Sequence, residues 1–287
     1  MSALSERAFA KINLTLRVVG RRTDGYHELE SLVAFANVAD TLTLEPGSTD
    51  GLQMSGPFAH KSGPVDDNLV LKALGELRRH VPGLKGGQFH LEKNLPVAAG
   101  IGGGSADAAA ALRLLARVNG IALDDLRLMA AAKAVGADVP VCMDSRPRIM
   151  RGIGEVLTAP LDLERIPAVL VNPGVALGTR EVFGQFKIGD KGPALTDVPT
   201  KAGALIEFLK QRGNDLTAAA TACAPAVGEV LAALRGVPGS MLVRMSGSGT
   251  TCFALFGSRD RAVGAAQHLA SVRKEWWAQA TAIGTVK

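Results

Sequence analysis

Four of five consecutive residues near the middle of the chain are glycine, and an alanine-rich helix is predicted to follow them. Residues 95–110 read LPVAAGIGGGSADAAA. Glycine loses much backbone entropy on folding, so such a cluster is expected where the chain needs a positive φ or a close approach to a ligand. Successive N–H groups at a helix N-terminus bind anions, and the helix dipole adds about half a positive charge there. The segment predicts a polyphosphate site.

The spacing of these glycines excludes the commoner phosphate-binding loops. No Gly-Lys-Ser/Thr sequence ends the loop, and Ser105 stands where a dinucleotide fingerprint starting at Gly100 requires glycine. The Val-Ala-Ile-Lys, His-Arg-Asp and Asp-Phe-Gly motifs of protein kinases are also missing. The alternative interpretation is a mobile turn with Ser105 as N-cap. Asp107 would repel a phosphate at this helix start unless magnesium or an outward rotamer relieves the repulsion.

Hydrophobic periodicity predicts the elements that position this loop. Strict alternation over residues 7–18 predicts one half-buried strand with Lys11 and Asn13 together on its polar face. Gly136 is a predicted helix C-cap. The further elements of this half are strands at 29–36, 41–45 and 88–93 and helices at 67–80, 105–118 and 124–135. This half is therefore expected to be an α+β layer structure.

After about residue 158 the pattern becomes β-α-β-β-α-β, the split βαβ order. The predicted strands are 168–172, 241–245, 251–256 and 276–283, and the predicted helices are 201–212, 214–235 and 258–272. We therefore expect two domains, residues 1–158 and 159–287.

Composition narrows the class of protein. The chain has 287 residues with 47% hydrophobic and 21% charged residues, which excludes disorder. Its three cysteines form no Cys-x-x-Cys pair, so a structural zinc site is not expected. No long apolar run resembles a signal peptide or a membrane helix, and we expect a cytoplasmic protein. The net charge of +5 suits either nucleic acid or phosphorylated substrates.

The glycine loop resembles the second motif of the GHMP kinases, which include the galactose, homoserine, mevalonate and phosphomevalonate kinases. The matching blocks, in the family's order, are KINL at 11–14, RRTDGYHEL at 21–29, GADVP at 136–140 and MSGSGT at 245–250. The resemblance implies a two-domain α+β fold, with a ribosomal S5 domain 2-like N-terminal ATP-binding domain, a ferredoxin-like C-terminal domain and the active site in the cleft between them.

The Gly-Tyr-His block is similar to that of the family members whose substrate carries a cytidine diphosphate. It implies ATP-dependent phosphorylation of the tertiary C2 hydroxyl of a methylerythritol unit in the non-mevalonate isoprenoid pathway. The implied cofactors are ATP and Mg²⁺, the latter held mainly by phosphates and water rather than by protein ligands. The implied partners are small molecules, with no nucleic acid and no membrane, and we expect a monomer or weak homodimer.

The resemblance implies roles for three polar residues near the reacting oxygen. Asp138 matches the catalytic base, Lys11 would stabilise developing negative charge, and Asn13 would bind erythritol hydroxyls. The alternative interpretations are that Asp138 caps a short helix and that Lys11 is a solvated lysine on an exposed strand.

The resemblance also implies two binding regions. The residues matched to ATP are Pro96, Ala99, Gly100, Ile101, Gly102, Gly103, Gly104, Ser105, Ala106, Asn68 and Lys93, the last two of which could equally be a helix cap and a surface residue. Tyr26 and Phe183 would sandwich the cytosine, His27 would hydrogen-bond its edge, and Thr179 is a weaker candidate for that pocket. Phe183 could instead be a buried anchor. The three arginines at 146, 148 and 151 could meet phosphates, but a solvated run is the favoured interpretation.

Three other functions stay open at this point. Another GHMP kinase, such as a homoserine or mevalonate kinase, is disfavoured because its substrate has no base for Tyr26 to stack on. A nucleic-acid-binding protein would use the basic charge, but the aromatic content is only 4%. A noncatalytic nucleotide sensor would not require both Lys11 and Asp138.

Overall fold

The computed structural model describes residues 2–189 and 192–286, and these residues fall into two units that interleave along the chain. The first unit holds the segment ending at Ala10, Val38–Val97 and Gly102–Asp144. The second holds Lys11–Asn37, Ala98–Ile101 and the chain from Ser145 onward. A boundary near residue 158 stays a prediction.

The secondary structure of these residues is mixed. The strands are β1 (Leu4–Asn13), β2 (Arg17–Arg21), β3 (His27–Gly47), β4 (Gly51–Ser55), β5 (Gly86–Glu92), β6 (Arg148–Gly152), β7 (Val156–Leu157), β8 (Ile166–Asn172), β9 (Ser240–Met245), β10 (Cys252–Phe256) and β11 (Trp277–Gly284). The α-helices are α1 (Leu69–His80), α2 (Gly103–Asn119), α3 (Leu126–Val135), α4 (Val139–Cys142), α5 (Thr179–Gln185), α6 (Ala202–Lys210), α7 (Thr217–Cys223), α8 (Ala226–Gly236) and α9 (Arg259–Val272). None of these helices is both long enough and apolar enough to cross a membrane.

In the first unit, a small sheet carries a layer of helices. The later half of β3 pairs antiparallel with β5, and β5 pairs parallel with β4. Helices α1, α2 and α3 pack on one another, and α2 also packs on α4. Helix α1 begins where the Asn68 side chain accepts a hydrogen bond from the Val70 N–H at 3.0 Å, which satisfies one of the free N–H groups of its first turn.

In the second unit, the strand order is β11-β8-β10-β9, with every neighbouring pair antiparallel. Helices α5 to α8 lie in the chain between β8 and β9, and α9 lies between β10 and β11. The predicted β-α-β-β-α-β order is therefore confirmed. Strand β10 is buried throughout, because helices cover the sheet around it.

Four of the predicted elements differ from the structure. The strand expected at 7–18 is two strands, because the backbone leaves the sheet at Leu16, whose N–H donates to the Gly213 carbonyl at 3.0 Å. The strands expected at 29–36 and 41–45 are one strand, β3. The helix expected at 214–235 is interrupted at Pro225, which lacks the N–H that an uninterrupted helix uses.

The predicted polar face of the first strand is also wrong. Residues 8–13 of β1 are all buried, so apolar and polar positions alike are enclosed. Lys11 and Asn13 are each only 4% exposed. The alternation identified the strand correctly, but it could not reveal that both of its faces are covered.

Arg244 on β9 ties together distant parts of the second unit. Its buried guanidinium donates to the carbonyls of Leu14, at 2.6 Å, Leu209, at 2.9 Å, and Arg212. Burial lowers the pKa of Arg244 to about 10. These bonds fix the chain just after β1 against the end of α6.

Candidate active site

The glycine loop adopts a backbone that few other residues could follow. Gly100 and Gly102 have φ of 72° and 63°, in the left-handed region. Gly102 is the N-cap of α2, which begins at Gly103, and no side chain caps this helix start. The alternative interpretation, in which Ser105 is the N-cap, is therefore wrong. The first N–H groups of α2 are not used within the helix, so they can bind an anion.

In the second unit, the β9–β10 turn packs directly against the loop. The Ser246 hydroxyl donates to the Gly100 carbonyl at 2.9 Å, and the Thr251 N–H donates to the Ala99 carbonyl at 3.0 Å. A Cβ on Gly100 would lie 2.5 Å from the Ser246 carbonyl oxygen, which is too close. Glycine is therefore required here by this approach as well as by its φ angle.

The end of β1 joins the same group of residues. The Lys11 N–H donates to the Ile101 carbonyl at 2.9 Å, and the Asn13 N–H donates to the Ser246 hydroxyl at 3.1 Å. These bonds place Lys11 and Asn13 beside the loop. Because Lys11 is buried, the interpretation of it as a solvated surface lysine is wrong.

Asn13 presents one unsatisfied polar atom. Its amide nitrogen donates to the Ser31 hydroxyl at 2.7 Å, but its buried Oδ1 has no hydrogen-bond partner among the described residues. A buried acceptor without a donor costs free energy, so a ligand hydroxyl that donates to this Oδ1 would be stabilising.

Helix α5 carries two further candidates on one face. Phe183 stacks on His27 with ring centroids 4.9 Å apart and an angle of 24° between the planes. One turn earlier, the Thr179 hydroxyl lies 3.0 Å from the Ser248 hydroxyl. The structure thus brings His27, Phe183 and Thr179 together, with α5 in contact with both the start of β3 and the β9–β10 turn.

Tyr26 stands apart from that stack. Its side chain is 58% exposed, while the half-buried Phe183 also packs against the core of the second unit. The alternative interpretation of Phe183 as a buried anchor is therefore correct only in part, because Phe183 packs on the core but is half-buried. Its ring also stacks on His27. Burial and then the charge of Arg21 lower the pKa of His27, so its imidazole is neutral at pH 7.

In the first unit, Lys93 forms a buried cluster with Asp40 and Asp107. Its Nζ lies 2.5 Å from Asp40 Oδ2 and 2.7 Å from Asp107 Oδ2. The interpretation of Lys93 as a surface residue is therefore wrong. Burial alone would lower the pKa of Lys93, but the charges of Asp107 and Asp40 outweigh it and raise that pKa.

The expected electrostatic repulsion between Asp107 and a phosphate does not arise in the way predicted. The Asp107 side chain is buried and bonded to Lys93 rather than exposed at the helix start. Burial, only partly offset by Lys93, raises the pKa of this carboxyl to about 8. The sequence analysis did not identify Asp40 as a partner of Lys93, because the two residues are 53 positions apart. The one indication in the sequence is that Asp40 is an isolated acidic residue in an apolar stretch of β3.

Asp138 and Asn68 both stand at helix starts in the first unit. Asp138 is the N-cap residue of α4, but its side chain makes no capping bond, so the interpretation of Asp138 as a helix cap is wrong for its carboxylate. Asn68 does cap α1, so that alternative is correct. Lys11 belongs to the second unit and Asp138 to the first.

Two arginines of the arginine-rich stretch bond within the fold, whereas Arg146 is exposed as the interpretation of a solvated run expects. Arg148 donates to the Thr158 carbonyl at 3.0 Å, and the Arg151 Nε donates to Glu30 at 3.1 Å. Within the part of the chain that the structure describes, no group of three or more His, Cys, Asp or Glu residues could hold a metal.

Comparisons with known proteins match the whole length of the chain. The family model for the GHMP kinases N terminal domain matches residues 68–146, and the model for the GHMP kinases C terminal domain matches residues 199–274. A 4-diphosphocytidyl-2-C-methyl-D-erythritol kinase from Rhodopseudomonas palustris (strain BisA53) is 56% identical, covering 98% of this chain and 97% of that protein.

Solved structures agree with the fold. The crystal structure of a 4-(cytidine 5′-diphospho)-2C-methyl-D-erythritol kinase is 35% identical, with a TM-score of 0.82 over 99% of this chain and 100% of the other. A homoserine kinase from Cytophaga hutchinsonii, 16% identical, shares the fold with a TM-score of 0.69 over 99% of this chain and 95% of its own.

We predict that Asp107→Asn flattens the pH dependence of stability. The folded protein holds the Asp107 proton up to about pH 8, whereas the ordinary carboxyl releases it near 3.8. The folded state therefore binds more protons across that window, and the free energy of unfolding falls as pH rises through it. Asparagine does not titrate, so this part of the slope should disappear.

Urea unfolding at pH 5, 6.5 and 8 measures this difference. The matched control is Asp124→Asn, a carboxyl that is exposed and should keep the wild-type slope. An unchanged slope in Asp107→Asn would contradict the assignment of the proton to Asp107.

Proposed function

The chain belongs to the GHMP kinases, and we propose that it transfers the γ-phosphoryl group of ATP to the C2 hydroxyl of 4-diphosphocytidyl-2-C-methyl-D-erythritol. The products are the 2-phosphate and ADP, within the non-mevalonate pathway to isoprenoid precursors. The proposal rests on the 56% identity to a kinase of that name over 98% of this chain. Its partners are small molecules, and we expect a cytoplasmic monomer or weak homodimer.

The N-terminus of α2 is suited to the ATP phosphates. The N–H groups of Gly103, Gly104 and Ser105 point out of the helix start, and no side chain caps them. Phosphoryl transfer depends mainly on positioning and charge neutralisation, which these amides and the helix dipole supply. Mg²⁺, when bound with ATP, would neutralise phosphate charge, and we propose that phosphates and water hold most of it.

The acceptor is a tertiary alcohol, so its proton needs a destination. In the proposed step, a bond forms between the C2 oxygen and the γ-phosphorus while the bond from that phosphorus to the β–γ bridging oxygen breaks. The hydroxyl proton passes to the Asp138 carboxylate, and the bridging oxygen leaves with ADP. Lys11 stabilises the negative charge that develops on the acceptor oxygen.

Recognition of the acceptor falls to residues of the second unit. The open Oδ1 of Asn13 can accept a hydrogen bond from an erythritol hydroxyl. The neutral imidazole of His27 offers one hydrogen-bond donor and one acceptor, which suits the cytosine edge, where donors and acceptors lie side by side. Phe183 stacks on the imidazole and holds it in place. The exposed ring of Tyr26 is available to stack on the base. Thr179 lies one turn before Phe183 on α5 and is a weaker candidate for the same pocket.

A coupled assay of ADP release tests the function directly. We expect turnover with the cytidine diphosphate acceptor and none with homoserine or mevalonate, because those acceptors carry no base for the aromatic residues. Turnover with either of them but not with the cytidine compound would overturn the proposal. ATP binding without turnover on any acceptor would favour a nucleotide sensor.

For Asp138, we predict that Asp138→Asn lowers kcat by about 10²–10⁴-fold, the usual contribution of a general base. KM for both substrates should change little, since the amide keeps the size of the carboxylate. Steady-state kinetics measure both constants, and Asp162→Asn, at an exposed position, is the matched control. Wild-type turnover in Asp138→Asn would remove Asp138 as the base.

For Tyr26, we predict that Tyr26→Ala raises KM for the cytidine substrate about tenfold, because stacking of a base on an aromatic ring contributes about 1–3 kcal/mol. KM for ATP should stay within about twofold of wild type. Tyr26→Phe keeps the ring and should retain wild-type KM values. An equal rise for both substrates in Tyr26→Ala would argue against stacking.

A further inference from the structure

The first turn of α2 has almost no side chains that could hold it in place. It consists of Gly103 and Gly104 followed by Ser105 and Ala106, and Gly104 is exposed. Apolar packing, which stabilises most helices, is therefore limited at this turn to Ala106 and the neighbouring Leu69 and Leu95 side chains.

What lies beneath this turn is the buried cluster of Asp40, Lys93 and Asp107. An ideal Cβ on Gly103 would lie 3.6 Å from Lys93 Nζ, 3.7 Å from Leu95 Cβ and 3.8 Å from Asp40 Oδ2, so the helix start lies against these charged groups as well as against Leu95. Asp107, the fifth residue of α2, receives a hydrogen bond from Lys93.

The other end of the cluster is tied to the backbone that follows β5. Asp40 Oδ1 accepts hydrogen bonds from the N–H groups of Asn94 and Leu95, at 2.6 and 2.8 Å, while its Oδ2 accepts from Lys93. Asp40 is fully buried. Lys93 thus joins the Asp40 carboxylate, which is held by the sheet, to the Asp107 carboxyl group on the helix.

We propose that this cluster sets the position of the N-terminal amides of α2, and that Asp107 is a positioning residue for ATP. The inference rests on the proposed kinase function, because it assigns the phosphates to those amides. A charge-assisted bond of 2.7 Å between buried groups is short and directional, which is what a turn without side chains requires.

The experiment compares Asp107→Ala, which removes the acceptor for Lys93, with Asp107→Asn, whose amide oxygen retains it. For Asp107→Ala we expect KM for ATP and Kd for ADP, the latter by calorimetry, to rise about tenfold through misplaced amides. KM for the cytidine acceptor should stay within about twofold. Asp107→Asn should return both nucleotide constants to near the wild-type values.

Glu6→Gln is the matched control. Glu6 pairs with Arg113, which lies later on α2 in the same unit, at 3.1 Å. Losing this pair removes an ionic bond to the same helix far from its start, so the nucleotide constants should not change. A rise in nucleotide Kd in Glu6→Gln as large as in Asp107→Ala would reduce the role of Asp107 to general stability and overturn the proposal.

Two other outcomes are informative. An unchanged Kd for ADP in folded Asp107→Ala overturns the positioning role whether or not the cytidine compound is the acceptor, because the calorimetry needs no acceptor. If Asp107→Ala does not fold, hydrogen exchange on the wild-type protein decides. Protection of the amides of residues 106–109 without nucleotide supports a turn held by the cluster, and protection that appears only with ADP contradicts it.

Discussion

A helix start that offers its backbone N–H groups to a ligand carries few side chains, and in the first unit a buried ionic cluster lies beneath such a start. Glycine at 102, 103 and 104 opens the amides of α2 to a ligand but leaves the turn with little to pack. The hydrogen-bonded groups of Asp40, Lys93 and Asp107, buried beneath this turn, add to its few apolar contacts. Burying ionic groups costs free energy, but their hydrogen bonds are directional and so can fix the orientation of the groups that they join.

The second unit meets a related requirement with backbone bonds. The end of β1, the residues at 99–101 and the β9–β10 turn are joined through main-chain groups and the Ser246 hydroxyl. Because these bonds mostly involve main-chain atoms, the residue types they demand are few and include glycine at 100 and 247 and a hydroxyl at 246. The short motif around Ser246 is therefore a structural partner of the loop.

The sequence predicted the features that depend on local chemistry and missed those that depend on distant contacts. The helix after the glycines and the split βαβ order followed from periodicity and glycine placement. The burial of Lys11 and the partners of Lys93 could not be predicted in this way. They depend on residues far away in the sequence, such as Asp40, which lies 53 residues from Lys93. Asp138 and Tyr26 were singled out by family resemblance rather than by spacing, and their roles stay proposals.

The interleaving of the two units has a consequence for how the chain is made on the ribosome. The segment Lys11–Asn37 belongs with the second unit, and Phe35 and Ala36 pair with Gly284 and Ile283 of the last strand. Phe35 and Ala36 therefore wait for nearly the whole polypeptide to emerge before they can pair with this strand. Until then this buried, apolar stretch of β3 lacks its β11 partner, and unpaired strand edges of this kind favour aggregation of incompletely folded chains.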